Sequence, residues 1–504
     1  MPLTPAKLST RVATELESRE PEIRKVVERF IAAAAEPAVL DRGEEPLRLI
    51  GGQWELAEWS GRLTLQAWNG ERNLTRRILS VKEQRRDRLS LLTERFPKIQ
   101  AELQIADLAV PNAREIERRM TRLAFRERFA LMLARDFPQW SVAEVSAETN
   151  LEASLSPACV RAFLRRGQAG IAVMAAPPDS LDTAGVVPLG LIWLEYLRAR
   201  EKRTGIGRLL IYTPEGRERD TAFRAAMIDP ARAEVRLYAY DRKLRAAEVD
   251  PADVGNVDST LPVCRRLAAV AGAAPDPGIA GVDRVWQSDG SVRYEVRGLE
   301  FARWSGERLM CGVGRKSRAT VADAAALAME LIRVRNADAE DRQHPLYARD
   351  PEGWLEALVR ANPEAIDASL RNSPLYGQVP VFAGRDRGVV DLLGIDHDGR
   401  LAVIELKASA DLYLPFQALD YWLRVRKHLM AGDFERLGYF AGISVLREPP
   451  RILLAAPALE FHSTSETLIG FLRPEVEMVR IGLSADWRKE LKIALRLRGA
   501  ERPC

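Results

Sequence analysis

Cysteine is scarce in this 504-residue chain. Cys159, Cys264, Cys311 and Cys504 are the whole complement, and no two are spaced as a metal knuckle or a disulfide framework. A stapled secreted scaffold and a structural zinc site are therefore excluded, and a reducing compartment fits. Histidine is equally rare. His344, His397, His428 and His462 stand without spaced partners, so surface or satisfied roles are expected rather than metal ligation. No apolar run approaches the roughly 18 residues of a membrane span. The opening MPLTPAKLSTRVATELESREPE has no apolar signal core, and a cytoplasmic location is expected. An excess of one charge is also missing. The formal net charge is +4, so any nucleic-acid surface must come from local clustering. GVGRK (312–316) lacks the spacing of a phosphate loop, and no motor motif is present.

What remains is a soluble composition, 47% hydrophobic and 29% charged, on a chain too long for one core. Periodicity divides it into five parts. Residues 1–45 read as a helical segment and 46–112 as a small β domain. Residues 113–250 read as an α/β domain, with strands at 170–176 and 207–213 around a helix at 189–201. A loop-rich connector is expected beyond Thr213. Within 251–343 a second β segment (283–314) and a helix follow the flexible AAPDPGIAG (273–281). Residues 344–504 form a further α/β domain.

Internal similarity crosses these divisions. WELAEWSGRLTLQAW (54–68) matches EFARWSGERLMCGVG (300–314) through Trp-Ser-Gly at 59–61 and 304–306. VPLGLIWLEYLR (187–198) matches LPFQALDYWLR (414–424). IAVMAAP (171–177) lies against LAVIELK (401–407), and RLLIYTP (208–214) against RILLAAP (451–457). The order is shared, which predicts a duplication in which 119–215 folds like 345–460. The first copy has Ala175, Pro177 and Gly190 where the second has Glu405, Lys407 and Gln417, so it lacks an acidic site.

The second copy carries the charged residues. VVDLLGIDHDGRLAVIELKAS (389–409) reads as two strands and a turn, yet Asp391, Glu405 and Lys407 sit where a sheet should pack. A three-residue loop, His397-Asp398-Gly399 with Gly399 left-handed, sets Asp391 opposite Glu405. Lys407 then shares their face, and Leu392, Ile404 and Leu406 take the other. Two carboxylates on adjacent strands, with the Leu406 carbonyl, suit a hard cation such as Mg²⁺ or Mn²⁺. Such a cation polarises a phosphodiester and acidifies water, and Lys407 is placed to orient the attacking water or stabilise developing charge. A structural ion pair between Lys407 and one of the acids is the alternative.

The flanks bear on that choice. PEGWLEALVRANPEAI is an amphipathic helix with Glu356, and LPFQALDYWLRVRKHL carries Gln417 and Tyr421 one turn apart. Helix, hairpin with Asp and Glu-x-Lys, then helix with Gln-x-x-x-Tyr resembles the PD-(D/E)XK nuclease superfamily, RecB-like branch. Residues 345–460 are similar to the nuclease domain of the EndoMS/NucS endonuclease family. The resemblance implies an α/β multidomain chain with a C-terminal restriction-endonuclease-like core, small β domains and a degenerate second nuclease-like domain. It implies metal ligation by Asp391 and Glu405, catalysis assisted by Lys407, and a site lined by Gln417 and Tyr421. Glu356 is the first-helix acid, with Glu352 and Glu364 as neighbours. Divalent-metal-dependent cleavage of DNA follows, with RNA left open. Ala408 and Ser409 depart from the basic residue usual after the lysine, and far more protein precedes the nuclease half than that family carries. Mismatch recognition does not transfer. A non-catalytic nucleic-acid-binding protein that kept the fold is the second reading.

Two basic clusters suit phosphate contacts. Arg76, Arg77, Lys82, Arg85, Arg86 and Arg88 lie beside Trp54, Trp59 and Trp68. Arg293, Arg297, Arg303, Arg315 and Lys316 lie on the second β segment. A solvated β surface over a tryptophan core explains the same pattern.

Overall fold

The computed structural model describes residues 20–41, 44–58, 62–70, 72–95, 99–180, 183–252, 259, 261–264, 274–275, 278–286, 291–306, 308–383 and 386–502. The Trp59-Ser60-Gly61 match, Cys504 and part of the 273–281 stretch lie outside them.

Two antiparallel sheets each precede a larger α/β module. The first has seven strands between Pro37 and Asp107. Helix Glu20–Ala33 lays Ile23, Val27, Phe30 and Ile31 against it, a stripe repeating every three to four residues. The second is a five-stranded meander between Asp283 and Arg318. Its apolar face is covered by helix Val321–Val334, which begins at a capping box between Thr320 and Asp323.

The first α/β module begins with helix α1 (Pro111–Asp136). Strands β1 (Ser141–Ser146), β2 (Val160–Arg166) and β3 (Ala169–Ala175) follow, then α2 (Val186–Arg200) and β4 (Gly205–Pro214). It closes with α3 (Glu218–Ala226), β5 (Glu234–Tyr240) and β6 (Ala246–Val249). The expected connector beyond Thr213 is thus regular structure. EVRLYAY alternates weakly because both of its faces are only partly covered, and that weakens its sequence signal.

The second module repeats this plan with α4 (Pro351–Ala361), β7 (Tyr376–Ala383), β8 (Asp386–Ile395) and β9 (Leu401–Leu406). Helix α5 (Leu414–Met430), β10 (Arg451–Pro457), α6 (Ser465–Gly470), β11 (Met478–Leu483) and β12 (Ile493–Arg498) complete it. Each module has a six-stranded sheet with strands in chain order. In each, the first three strands are antiparallel, the next two join in parallel through crossover helices, and the last returns antiparallel. Duplication is therefore present in the topology.

The modules meet about an internal pseudo-dyad. Asp229 N–H donates to the Phe471 carbonyl at 2.8 Å, and Arg473 N–H donates to the Met227 carbonyl at 2.9 Å. Ile228 and Leu472 pair between them as an isolated antiparallel bridge. These segments follow α3 and α6, which are equivalent in the two modules. Helix α3 packs on α5 as α6 packs on α2. Trp193, Leu197, Phe416 and Trp422 share one apolar core across the junction. A cluster this continuous resembles an obligate subunit interface, with both partners on one chain.

Candidate active site

The β8–β9 hairpin has the register that the alternation requires. Ile395 pairs with Leu401 and Leu392 with Ile404, and Asp396 N–H meets the Arg400 carbonyl at 2.9 Å around the turn. Gly399 turns the chain at φ +98°, and a Cβ there would fall 2.3 Å from the Ser444 carbonyl oxygen. Continuing that register sets Asp391 across from Glu405. The two faces also separate as expected. Leu393, Ile395, Leu401 and Val403 pack with Tyr421, Val425 and Leu429 of α5, while Leu392, Ile404 and Leu406 pack with Trp354, Leu355 and Val359 of α4.

The ladder ends one rung early. Where Leu406 would bond to Val390, its N–H donates to Asp391 Oδ2 at 2.9 Å. Strand β8 instead continues its pairing with β7. A strand residue's N–H and C=O point to the same side, so the Leu406 carbonyl also faces the Asp391 edge.

Glu405 is 0% exposed, and neither carboxylate oxygen has a hydrogen-bond partner among the described residues. Burial, then the Asp391 charge, pushes its acid well above the usual carboxylate range, against the pull of Lys407. Asp391 is raised to about 6, chiefly by burial, with the Leu406 N–H and Lys407 opposing and Glu352 adding to the rise. Burial pulls the Lys407 ammonium down, but Glu352, Glu405 and Asp391 outweigh it and hold its pKa above the ordinary value. The lysine stays charged. Burial, then Glu405, raises the Tyr421 hydroxyl to about 12, and Gln417 Nε2 donates to that hydroxyl at 3.3 Å.

On the first helix it is Glu352, the neighbour of the expected Glu356, that meets the lysine. Lys407 Nζ stands 3.6 Å from Glu352 Oε2. Glu356, one turn further along α4, is bound by Arg360 at 3.4 Å, though it lines the same cleft of about 260 Å³ as Glu352 and Asp391. Glu364 accepts from Asn372 outside this group. Residues four apart share a helix face, so the sequence could not separate Glu352 from Glu356. The docking of α4 separates them. Its first turn is fixed by the second small sheet: Gly298, at φ +75°, lies so close to Gly353 that a Cβ would fall 1.8 Å from the Gly353 carbonyl oxygen.

No group of three or more His, Cys, Asp and Glu suited to a metal converges among the described residues. The pair Asp391 and Glu405 still fits a hard cation that keeps waters and takes further oxygens from substrate. The two Glu405 oxygens, without a hydrogen-bond partner among the described residues and beside the Asp391 charge, are what such an ion would satisfy.

The basic clusters are largely self-paired. Arg76 is bound by buried Asp41, Arg77 by Glu94 at 3.1 Å, Lys82 by Glu102 at 3.8 Å and Arg85 by Glu83 at 2.8 Å. Arg293 meets Glu295 at 2.8 Å, while Arg303 and Lys316 share Glu300 at 2.8 and 3.1 Å. Arg297 lies over the Trp354 ring, and burial lowers its pKa. Arg86 and Arg315 are exposed. The partners of Arg76, Arg77, Lys82 and Lys316 are distant in the chain and invisible in a linear sequence, whereas those of Arg85, Arg293 and Arg303 lie within three residues.

In the first module the register corrects the expected correspondence by one position. Leu209 and Ile452 are equivalent on β4 and β10, and they pair with Ala172 and Val403. Met174 therefore stands at Glu405 and Ala176 at Lys407, in place of Ala175 and Pro177. Faces agree, since Met174 points to the core beneath α2 and Ala175 to that of α1. Opposite Met174 is Arg161, at the place of Asp391. Sequence matching slipped because an all-apolar strand offers no charged residue to fix it. Gly190 lies over Met174 and Leu209, where a Cβ would fall 3.4 Å from the Met174 Cβ and a tight 3.1 Å from a Leu209 methyl group.

No protein-family model matches the sequence, and no curated protein matches it. A crystal structure of a repair endonuclease from Pyrococcus abyssi aligns with 47% of this chain and 80% of its own, at 16% identity and a TM-score of 0.17. Likeness that loose carries no argument. No helix among those described is long and apolar enough to cross a membrane.

Proposed function

We propose that the chain is a divalent-metal-dependent nuclease of PD-(D/E)XK type that hydrolyses DNA phosphodiester bonds in its second module. The observation that carries this reading is Glu405: a fully buried carboxylate without a hydrogen-bond partner, beside Asp391 and charged Lys407. An uncompensated buried acid costs stability. A protein that only binds has no use for one, which disfavours the non-catalytic reading.

Asp391 and Glu405 would hold Mg²⁺ or Mn²⁺, with the Leu406 carbonyl as a third oxygen. When bound, the ion would acidify water and neutralise charge at the scissile phosphate. The chain's own groups do the rest. The Leu406 N–H fixes the Asp391 carboxylate. Lys407, kept protonated by the acids around it, donates to a phosphate oxygen or orients the attacking water. Glu352 restrains the lysine from the side of α4. Tyr421 and Gln417 offer donors above Glu405 to the strand being cut. Localisation in the cytoplasm belongs with this reading.

The test is cleavage of labelled duplex, flapped and single-stranded DNA, and of RNA, with Mg²⁺ or Mn²⁺ against EDTA. Glu405→Gln serves as the control. Metal-independent cleavage, or cleavage by the variant at the wild-type rate, would refute the assignment.

A further inference from the structure

The pseudo-dyad and the changed residues of the first module bear on how many strands are cut. A DNA duplex carries local twofold symmetry relating its antiparallel strands, so a protein with matching symmetry offers each strand an equivalent site. Here the symmetry is built into one chain by the reciprocal Asp229–Phe471 and Arg473–Met227 hydrogen bonds. The N-terminal ends of α2 and α5, which follow the site strands β3 and β9, border one shared cleft of about 480 Å³. Gly185 and Tyr413 face each other across it: a Cβ on Gly185 would lie 3.3 Å from the tyrosine ring. Gln417 opens onto the same cleft. The helix ends that follow the two site strands thus share one cleft, and a separate cleft of about 260 Å³ is lined by Asp391 and Glu352.

Only one end has the chemistry. Arg161 stands where Asp391 does, 4% exposed, donating to the Glu148 carbonyl at 2.6 Å and to Ser146 Oγ at 3.0 Å. Its guanidinium lies over the Trp193 ring, 5.6 Å from the centroid. Met174 and Ala176 replace the glutamate and the lysine. A fixed cation in place of a carboxylate repels a divalent ion, so this end is excluded from metal binding by charge as well as by ligand loss.

We propose, building on the nuclease reading above, that the chain nicks duplex DNA. One strand is hydrolysed in the second module, and the other passes the first module uncut. Each event consumes one water: oxygen adds to phosphorus and one bridging P–O bond breaks. The products are a phosphate monoester and a hydroxyl, with the water proton going to the leaving oxygen or to solvent.

The experiment uses the full chain, below the duplex concentration, on duplexes bearing a different dye on each strand, with Mn²⁺ or Mg²⁺. Perfect, mismatched and flapped duplexes are run on native and denaturing gels. Nicked molecules that keep native duplex mobility are expected, with double cuts at least about tenfold slower than the first. Double cuts forming as fast as nicks would overturn the single-site proposal and leave the nuclease reading intact. Glu405→Gln separates the modules: loss of cleavage on both strands is expected, and residual cutting of either strand would show the first module to be active. Absence of cleavage by wild type under every condition would overturn the nuclease reading, and this proposal with it.

Discussion

Asp391 Oδ2 accepts a hydrogen bond from the Leu406 backbone N–H at 2.9 Å, replacing a ladder bond between their strands. That substitution opens the hairpin at the level of Glu405 and turns a β-ladder into a candidate metal site. The two roles on this hairpin are separable by mutation.

Lys407→Ala is expected to reduce cleavage about a hundredfold to a thousandfold, the usual cost of one lost transition-state donor. Mn²⁺ binding should persist, because both carboxylates remain. Asp391→Ala should lose metal binding and cleavage together. Calorimetric titration and a nicking assay on the two variants decide the matter. Full activity in Lys407→Ala would reduce the lysine to a structural ion pair with Glu352.

The acids predict a pH signature in metal-free protein. Asp391 is raised from its ordinary 3.8 to about 6, chiefly by burial, so between those values the folded state holds a proton that the unfolded chain has released. Stability from this group therefore falls as pH rises through that window. The shift corresponds to roughly 3 kcal/mol at most. In EDTA at pH 7.5, Glu405→Gln should be more stable than wild type by roughly 1–3 kcal/mol, since it removes the neighbouring charge and a buried carboxylate. The gap should narrow toward pH 4. Excess Mn²⁺ should raise the melting temperature of wild type alone. A less stable variant at pH 7.5 would contradict the argument.

Between the modules, Arg224 of α3 donates to Asp420 of α5 from Nε at 3.1 Å and Nη2 at 2.7 Å. Arg224→Ala leaves that carboxylate unpaired at a largely apolar junction, and a loss of roughly 2–3 kcal/mol is expected in urea unfolding. Lysine should not restore it, because a single ammonium cannot supply the paired donors. A midpoint unchanged by alanine would show the tie to be inert.

Gly298→Ala tests whether the second small sheet sets the site. Its φ of +75° and the 1.8 Å approach to the Gly353 carbonyl leave no room for a methyl group, so the turn must withdraw from α4. Cleavage should fall at least tenfold, with Mn²⁺ affinity reduced less, because Glu352 moves while Asp391 and Glu405 stay on their strands. Unchanged kinetics in a folded variant would make the sheet a bystander.

The hairpin was legible in the sequence because strand side chains repeat every two residues. A two-residue Asp398-Gly399 turn would have set Asp391 opposite Leu406, and only the three-residue loop gathers the charged groups on one face and leaves Leu392, Ile404 and Leu406 for the other, which is the register found. The duplication was legible for a similar reason, as patterns of strand and crossover helix recur in order. The pairing of Lys407 with Glu352 was not, because Glu352 and Glu356 lie on one helix face and the seating of Gly353 against Gly298 fixes which turn meets the lysine. Nor was Arg161 at the place of Asp391, since that pairing follows from hydrogen-bond register between apolar strands that read alike when shifted by one residue. Local alternation is a property of the chain itself. Which helix turn meets a strand end, and which two modules share a dyad, depends on contacts between residues hundreds of positions apart, and those exist only once the chain has folded.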